Sequence, residues 1–503
     1  MTELKRLRKI EEFVLERLKA YGLNTVLQKF DIISEDRMLA LIARRLPNNF
    51  SFWQTGRDYE RFRTRFEHGF GHGILEVVFN LDPSRAFILN TVPFASKVLT
   101  VCHVYGHNHF FSNNAYFRHT RRNMLSSASA ARERFLEYEK RFGINKVEEI
   151  LNAAKAFEVN VDPDLGRLPE TQEHMRKRLL VAIVEIPEND QTLKPLSKKM
   201  KKEQADLKEE LESGKLVFAE RDILLFILEN SPMIEDIRDP AWRAAVLDMI
   251  SVVWEQSRYF MPQRETHGMN EGFAVMVHEL LMVDLLRAGL LTDQEFSDYA
   301  DINGKVLANS PDHLNQYLLF SLVWKSIKER WNKGQFGKEW EECRDVWKKQ
   351  NWDTKAGLGQ EKVLQVCQTH SDWRFIDEFI TQEVVDELLC FDGEDINHVK
   401  PLVLKMMENF GRPLVHVKDG NFENKREWML DHVYDGRDMD LEYLEKILQH
   451  GYTLWGRPVH LRTNVGDEQE CTVFTHTGTS LKKEGGCKKG ECVHINKPLM
   501  LLK

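Results

Sequence analysis

The stretch PFASKVLTVCHVYGHN, residues 93–108, does most to define the character of this chain. Most of its residues are apolar, so a helix formed by it would be buried on nearly every side. One polar stripe interrupts this pattern, because Ser96, Thr100, His103 and His107 recur at i, i+4, i+7 and i+11 on one helix face. The two imidazoles lie one turn apart, which is the spacing that two histidines need to bind one zinc ion.

A second stretch, ETHGMNEGFAVMVHEL at residues 265–280, repeats this arrangement. His267, Glu271, Ala274 and His278 again fall at i, i+4, i+7 and i+11 within a strongly apolar helix. Burying one carboxylate and two imidazoles without partners would cost several kcal/mol. We therefore expect this stripe to face the stripe of the first helix, with the small Ala274 leaving room for an ion or a substrate.

Together the two stripes predict a zinc site with His103, His107 and Glu271 as metal ligands and an open position for water. His278 is a candidate fourth ligand or a group that orients a ligand, and His267 is a candidate substrate contact. The alternative is a buried network of His–Glu hydrogen bonds without a metal ion. The spacing alone does not distinguish these interpretations.

Two more polar clusters lie near the first stripe. The segment EHGFGHG at residues 67–73 contains a second histidine pair, His68 and His72. Its interleaved glycines disfavour a helix and favour a loop, which could still line a pocket. The residues that follow the first pair could orient a substrate or cap the end of the helix, and they are Asn108, His109, Asn113 and Asn114.

Helical patterns dominate the chain up to about residue 380 and predict a mostly helical domain over residues 1–380. Residues 1–45 are expected to form amphipathic helices, with Gly22 as a stop. The charge-dense stretch at 185–216 is typical of a solvated helix or a mobile insertion. Further helices are predicted at 93–111, 121–142, 145–158, 240–260, 270–288 and 314–331.

The pattern changes near residue 385, where a smaller α/β domain over residues 381–464 is predicted. Two units of helix, Gly-Arg-Pro and strand recur 45 residues apart, at Gly411 and Gly456. These glycines suit the left-handed residue that ends a helix. If residues 387–391 supply a first strand, the order β-α-β-β-α-β is that of a ferredoxin-like domain. Residues 465–503 are predicted to be a loosely ordered tail, in which Cys487, Cys492 and His494 do not have a standard zinc spacing.

Composition excludes several classes of protein. The chain has 503 residues, of which 42% are hydrophobic and 29% charged, as in ordinary folded proteins. The 70 Lys and Arg residues against 78 Asp and Glu residues give a net charge of −8, which argues against nucleic acid as the main partner. Seven scattered cysteines, an N-terminus without an apolar leader and the lack of a long apolar run predict a cytoplasmic protein with reduced thiols and no membrane span.

Four segments resemble the SpoVR (stage V sporulation protein R) family of bacterial cytoplasmic proteins, and the resemblance covers about residues 10–464. They are HVYGHNHFFSNN at 103–114, YFMPQRETHGMNEGFA at 259–274, VYDGRDMDLEYLEKIL at 433–448 and LWGRPVHLRT at 454–463. The resemblance implies a role in forming the spore cortex, a peptidoglycan layer, or in cell-wall and stress-related remodelling. It also implies a serine protein kinase or a wall-synthesis or wall-remodelling protein as a partner.

The string NEGFA at residues 270–274 also resembles a segment of zinc aminopeptidases, in which the glutamate is the third metal ligand. By this resemblance Glu271 takes that role. Val104 stands where those enzymes have the glutamate that deprotonates the zinc-bound water, so the usual general base is missing. The candidate replacements are Glu279, Glu255, His109 and His267.

The sequence as a whole predicts an α+β protein. A large, mostly α-helical, zincin-like domain is followed by the small ferredoxin-like domain. Two functions remain open: a zinc-dependent hydrolase of an amide or peptide bond, and a non-catalytic regulator that binds a kinase or a wall-synthesis partner. In the first case Glu271→Ala should remove metal and activity, whereas in the second case truncation of the α/β domain should matter more.

Overall fold

The computed structural model describes residues 2–43, 59–61, 63–64, 76–163, 174, 177, 220–465 and 470–485. Three predictions fall outside these residues: the loop with His68 and His72, the charged stretch at 185–216, and the cluster of Cys487, Cys492 and His494.

The described residues form an α+β protein that is mostly helical and has a small C-terminal sheet. In chain order its helices are α1 (Glu3–Ala20), α2 (Glu35–Ala43), α3 (Phe94–Asn113), α4 (Met124–Phe142), α5 (Ile144–Ala156), α6 (Ile223–Asn230), α7 (Pro232–Asp236), α8 (Pro240–Glu265), α9 (His267–Arg287), α10 (Asp293–Val306), α11 (Gln316–Lys333), α12 (Lys338–Glu341), α13 (Val346–Gln350), α14 (Gly359–Thr369), α15 (Asp372–Phe379), α16 (Gln382–Asp386), α17 (Ile396–Met407) and α18 (Leu441–Trp455). Its strands are β1 (Gln28–Ile33), β2 (Glu76–Phe79), β3 (Ser84–Leu89), β4 (Val415–Phe422), β5 (Glu427–His432), β6 (Val459–Val465), β7 (Glu470–His476) and β8 (Leu481–Gly485).

The chain divides into two compact units. The first unit contains residues 1–132 and 259–411, and the second contains residues 133–258 and 412–503. The domain boundaries predicted from the sequence stay a prediction.

Helices α3 and α9 form the centre of the first unit. Both are buried on nearly every side, as their apolar composition predicts, and helices α1, α10, α11 and α14 pack around them. Large side chains that are completely enclosed, such as Phe110, Phe273 and Trp324, fill the space between these helices. The predicted helices at 93–111, 270–288 and 314–331 are confirmed here.

The first unit also contains a small sheet that the sequence analysis missed. Its strand order is β1-β3-β2, with β1 parallel and β2 antiparallel to β3. The prediction that residues 1–45 are all helical is therefore wrong for Gln28–Ile33, although α1 does end just before Gly22, which has a φ of 73°. The β-branched Ile32 and Ile33 suit a strand, and the strand is too short for its pattern to stand out.

The second unit contains a five-stranded sheet of order β4-β5-β6-β7-β8. Helix α18 connects β5 to its direct parallel neighbour β6, and the other pairs are antiparallel. Trp428, Trp455 and Phe157 are buried in this unit, where the two tryptophan rings stack. Gly456 ends α18 in the left-handed conformation, as predicted.

Two predictions for the C-terminal region do not match the structure. The ferredoxin-like order requires a first strand at residues 387–391, but Leu389–Phe391 is a 3-10 turn. The order also requires a strand between the two parallel ones, whereas β5 and β6 are adjacent. Residues 470–485 form strands β7 and β8 rather than a loose tail, because their backbones hydrogen-bond in register to the edge of the sheet.

The structure describes five of the seven cysteines. Cys102, Cys343, Cys367 and Cys390 are free thiols. Cys471 is disulfide-bonded, so the prediction of reduced thiols is wrong for this residue. Among the residues that the structure describes, none of the helices combines the length and the apolar character needed to cross a membrane.

An ion pair between α1 and α10 leads to a first prediction. A guanidinium nitrogen of Arg6 donates to Glu295 Oε2 at 2.6 Å. This hydrogen bond lowers the pKa of Glu295 from 4.5 to about 2, against the opposing effect of burial. We expect Glu295→Gln to lower the free energy of unfolding by about 1 kcal/mol at pH 7.

The pH dependence of this loss follows from the sign of the pKa shift. Because the pKa in the folded state lies below that in the unfolded state, the stabilisation is complete above pH 4.5 and disappears as the pH falls through about 2. Urea unfolding of Glu295→Gln and of the unmodified chain, at pH 7 and at pH 3, measures this difference. Glu329→Gln, which removes an exposed i,i+4 ion pair on α11, is the matched control and should cost less. An equal loss for Glu295→Gln at both pH values contradicts the prediction.

Candidate metal centre

The two polar stripes meet because α3 and α9 approach each other closely. A Cβ atom built on Gly106 would lie 2.7 Å from the Cα atom of Ala274, so only glycine allows this contact. The crossing places His103 and His107 opposite Glu271. The expectation that Ala274 leaves room for an ion or a substrate is therefore wrong, because Ala274 is fully buried against Gly106.

Ligand atoms from His103, His107 and Glu271 lie within 4.8 Å of one another. The Oε2 atom of Glu271 is 3.3 Å from His103 Nε2 and 3.6 Å from His107 Nε2. Ligands at about 2.0–2.1 Å from a tetrahedral zinc ion lie roughly 3.4 Å from one another. The spacing and the chemistry of these groups therefore fit a zinc ion.

Burial and charge prepare these groups to bind a cation. Burial lowers the pKa of His107 to about 4, although the nearby Glu271 carboxylate acts in the opposite direction. Burial would raise the pKa of Glu271, but His107 and His103 outweigh this effect and hold it at about 2. At neutral pH the site thus offers a neutral His107 imidazole and an ionised carboxylate, the forms in which these side chains bind metals.

The outer histidines of the second stripe have different positions. His278 contacts His103 through their two Nδ1 atoms, which are 3.0 Å apart, and its Nε2 atom is 2.9 Å from Asn303 Oδ1. His278 therefore lies behind His103 and orients it. His267 is on the open side, with 58% of its side chain exposed and its Nδ1 atom 3.8 Å from Glu271 Oε1.

A cavity of about 570 Å³ opens onto these groups. Its walls combine the three candidate ligands and both outer histidines with apolar and amide side chains. The lining residues are Val78, Leu99, Thr100, His103, His107, Phe111, Gln263, His267, Asn270, Glu271, Val275, His278, Asn303, Val306 and Tyr317. A small molecule entering the cavity would contact the carboxylate and the imidazoles directly.

Three other candidate residues from the sequence analysis contact other parts of the fold and not the cavity. Asn108 donates to Val26 O and Gln28 Oε1. Asn114 donates to the backbone oxygens of Cys367 and His370 and caps the turn that follows α3. The ring of His109 stacks on Phe273, and its Nδ1 atom lies 2.9 Å from Asn24 O. None of the three lines the cavity.

The structure also distinguishes the candidate general bases by whether they line the cavity. The position of the usual base is occupied by Val104, which is completely buried and has no group that could accept a proton. Glu279 accepts a hydrogen bond from Asn303 and pairs with Lys325, and Glu255 belongs to the second unit. Of the four candidates, His267 is the one that lines the cavity.

The start of α9, where His267 lies in the first turn and Glu271 in the second, is fixed by a residue that sequence reasoning missed. The backbone N–H groups of Gly268 and Met269 donate to the Asp372 carboxylate, each at 2.8 Å. A carboxylate at a helix N-terminus satisfies backbone donors that have no partner within the helix. Asp372 belongs to α15 and Asn303 to α10, and neither stands in a recognisable motif.

The fold and the site define an α+β protein in which two histidines of α3 and a glutamate of α9 line a common cavity. Residues 1–410 match the family described as SpoVR like protein, and residues 413–465 match the SpoVR-like C-terminal domain. The chain belongs to the SpoVR family.

One relative is similar over most of its length. The chain is 22% identical over 488 residues to the uncharacterized protein YcgB of Escherichia coli (strain K12), an alignment that covers 88% of this chain and 89% of the relative. No solved structure matches the chain.

Proposed function

We propose that the chain is a zinc-dependent hydrolase of an amide or peptide bond, with a zincin-like site formed by His103, His107 and Glu271. The observation that carries the proposal is the distance of 3.3 Å and 3.6 Å from one Glu271 oxygen to the two imidazole nitrogens, in a site that opens to a cavity. Two imidazoles and a carboxylate leave one position of a tetrahedral zinc ion for water or substrate.

A zinc ion in this site supplies a Lewis acid that polarises a carbonyl group and makes water more acidic. The residues of the chain do the rest. His103, His107 and Glu271 hold the ion, and the buried His278 keeps His103 in place. The apolar side chains Leu99 and Val275 reduce access of bulk water to one side of the cavity, which strengthens electrostatic interactions inside it.

His267 is the proposed general base. Its side chain is 58% exposed and lines the cavity, and its Nδ1 atom is 3.8 Å from Glu271 Oε1. A neutral imidazole has a lone pair that can accept a proton, whereas the valine side chain of Val104 has none. In this proposal His267 Nδ1 takes the proton from water and returns it to the leaving amine.

Membership of the SpoVR family supports a biological setting for this chemistry. The family name refers to sporulation. We propose that the substrate is a peptide or amide related to the spore cortex, to other peptidoglycan, or to proteins that regulate wall remodelling under stress. A serine protein kinase or a wall-synthesis protein is the proposed partner.

The second candidate function is a non-catalytic regulator of such a partner. The observation that favours it is Val104, which is buried at the position of the usual general base. A regulator needs the two helices to pack but does not need hydrolysis. The phenotype of a strain carrying Glu271→Gln would then equal that of the unmodified strain.

Metal content is the experiment that tests the proposed function. Chain purified without a metal-binding tag should contain about one zinc ion, measured by elemental mass spectrometry. Stripping with a chelator should abolish hydrolysis of wall peptides, and added zinc should restore it. If the stripped chain takes up no metal when zinc is returned, the hydrolase proposal is wrong and the regulator is favoured.

A further inference from the structure

A chain of hydrogen bonds runs from the protein surface to His103. We propose that Asn303 is a positioning residue that fixes, through His278, which nitrogen of His103 faces the metal site. This inference rests on the proposed zinc site and assigns a function to a residue of α10 that belongs to no motif. The argument follows the polarity of each hydrogen bond from the surface inwards.

The first step establishes how the side-chain amide of Asn303 is oriented. Its Nδ2 group donates to Glu279 Oε1 at 3.2 Å, and an ionised carboxylate can only accept. Lys325 Nζ, 3.0 Å from Glu279 Oε2, stabilises the charge of this carboxylate. The Oδ1 atom of Asn303 must therefore point away from Glu279.

The second step fixes the proton of His278. Asn303 Oδ1 lies 2.9 Å from His278 Nε2, and because an amide oxygen only accepts, Nε2 must carry the hydrogen. His278 is buried, and burial disfavours a charged imidazole. A neutral ring has one hydrogen, so the Nδ1 atom of His278 has a lone pair.

The third step reaches the metal site. The two Nδ1 atoms of His278 and His103 are 3.0 Å apart, so His103 must donate from Nδ1. In neutral His103 this leaves the lone pair on Nε2, which faces Glu271 Oε2 at 3.3 Å. A lone pair and a carboxylate repel each other at this distance, so a cation belongs between them. In the metal-free protein a proton on Nε2 fills this role and makes the hydrogen bond that helps to keep the pKa of Glu271 low, and a metal ion would take the place of that proton. The chain of hydrogen bonds thus prepares His103 for a metal ion.

Substitutions at Asn303 test the direction of the hydrogen bonds that run from Glu279 to His103. Asn303→Leu removes the acceptor, and we expect zinc affinity to fall about 10–100-fold, as for other groups that orient metal-binding histidines. In the double variant Asn303→Asp with Glu279→Gln, carboxylate and amide exchange places, so that residue 279 now donates to residue 303. The bond that matters here is unchanged in direction, because His278 Nε2 still donates to an oxygen of residue 303. We expect this exchange to restore affinity to within about threefold of the unmodified chain.

Zinc affinity is measured by competition with a chromophoric chelator, and the melting temperature of the metal-free protein is measured beside it. Asn315→Leu is the matched control, because Asn315 caps α11 and binds the end of α10 without touching His278. This control should lower the melting temperature and leave affinity unchanged. Unchanged affinity in Asn303→Leu, or no rescue by the double variant, overturns the proposal.

A second measurement separates this inference from the proposed function. If the unmodified protein binds no zinc, the proposed zinc site is wrong. The direction of the hydrogen bonds from Asn303 to His103 can still be measured in the metal-free protein. Nitrogen NMR of chain labelled with 15N-histidine should show the hydrogen of His278 on Nε2, and the signal should change in Asn303→Leu. A hydrogen on Nδ1 of His278 overturns the role of Asn303 whether or not zinc binds.

Discussion

Glu271→Gln is expected to leave less than about a tenth of a zinc ion per chain, against about one in the unmodified protein. The Oε2 atom of Glu271 is within 3.6 Å of both imidazole nitrogens, and this carboxylate is the negative group of the cluster. Glutamine has the same shape but no charge, and zinc sites in proteins use carboxylates rather than amides. Loss of the ligand should weaken binding by more than the 10–100-fold expected for a supporting residue.

The control for this prediction is Glu255→Gln, which makes the same chemical change in the second unit. Both variants should give circular dichroism spectra like that of the unmodified chain, and Glu255→Gln should keep its zinc and its hydrolytic activity. Elemental mass spectrometry after gel filtration measures the metal. A full complement of zinc in Glu271→Gln would show that other groups hold the ion.

The sequence was sufficient to find the candidate ligands because helical spacing links residues over short distances. His103 and His107 share a face at i and i+4, and Glu271 shares its stripe with His267 in the same way. The long apolar helices around them were predictable for the same reason, since their pattern repeats over several turns. The family was also recognisable from short segments spread over most of the chain.

The supporting residues could not be predicted because their contacts depend on the tertiary fold. Asn303 meets His278, and Asp372 meets the start of α9, only after α10 and α15 have packed in place. The three strands of the first unit have 4 to 6 residues each, too few for a periodic signal. The C-terminal strands were recognised in part, but strand order depends on pairing that spacing does not reveal.

The error at Ala274 has a physical reason that leads to the second large prediction. A small residue in the middle of a polar stripe suits both an open pocket and a close helix crossing, and only the partner helix decides between them. The partner here is Gly106, whose missing side chain allows the backbones to touch. We expect Gly106→Val to lower the free energy of unfolding by about 3 kcal/mol, because the added carbons must displace α9.

Separation of the helices should also remove the metal site, even though Gly106 provides no ligand. A Cβ atom at this position would lie 2.7 Å from Ala274 Cα and 3.0 Å from Ala274 Cβ, so α3 and α9 must move apart. That movement stretches the distance from Glu271 to His103 and His107 beyond what one zinc ion can span. Zinc binding and thermal melting, measured together, should both decline.

The matched control for this prediction is Gly304→Val on α10, where a Cβ atom meets nothing within 4 Å. Valine has a higher helix propensity than glycine, so this control should keep or slightly raise the melting temperature and leave zinc binding unchanged. If Gly106→Val binds zinc as tightly as Gly304→Val does, the close crossing of α3 and α9 is not what brings the ligands together. If it loses zinc while the control keeps it, the backbone contact is as much a part of the site as the three side chains.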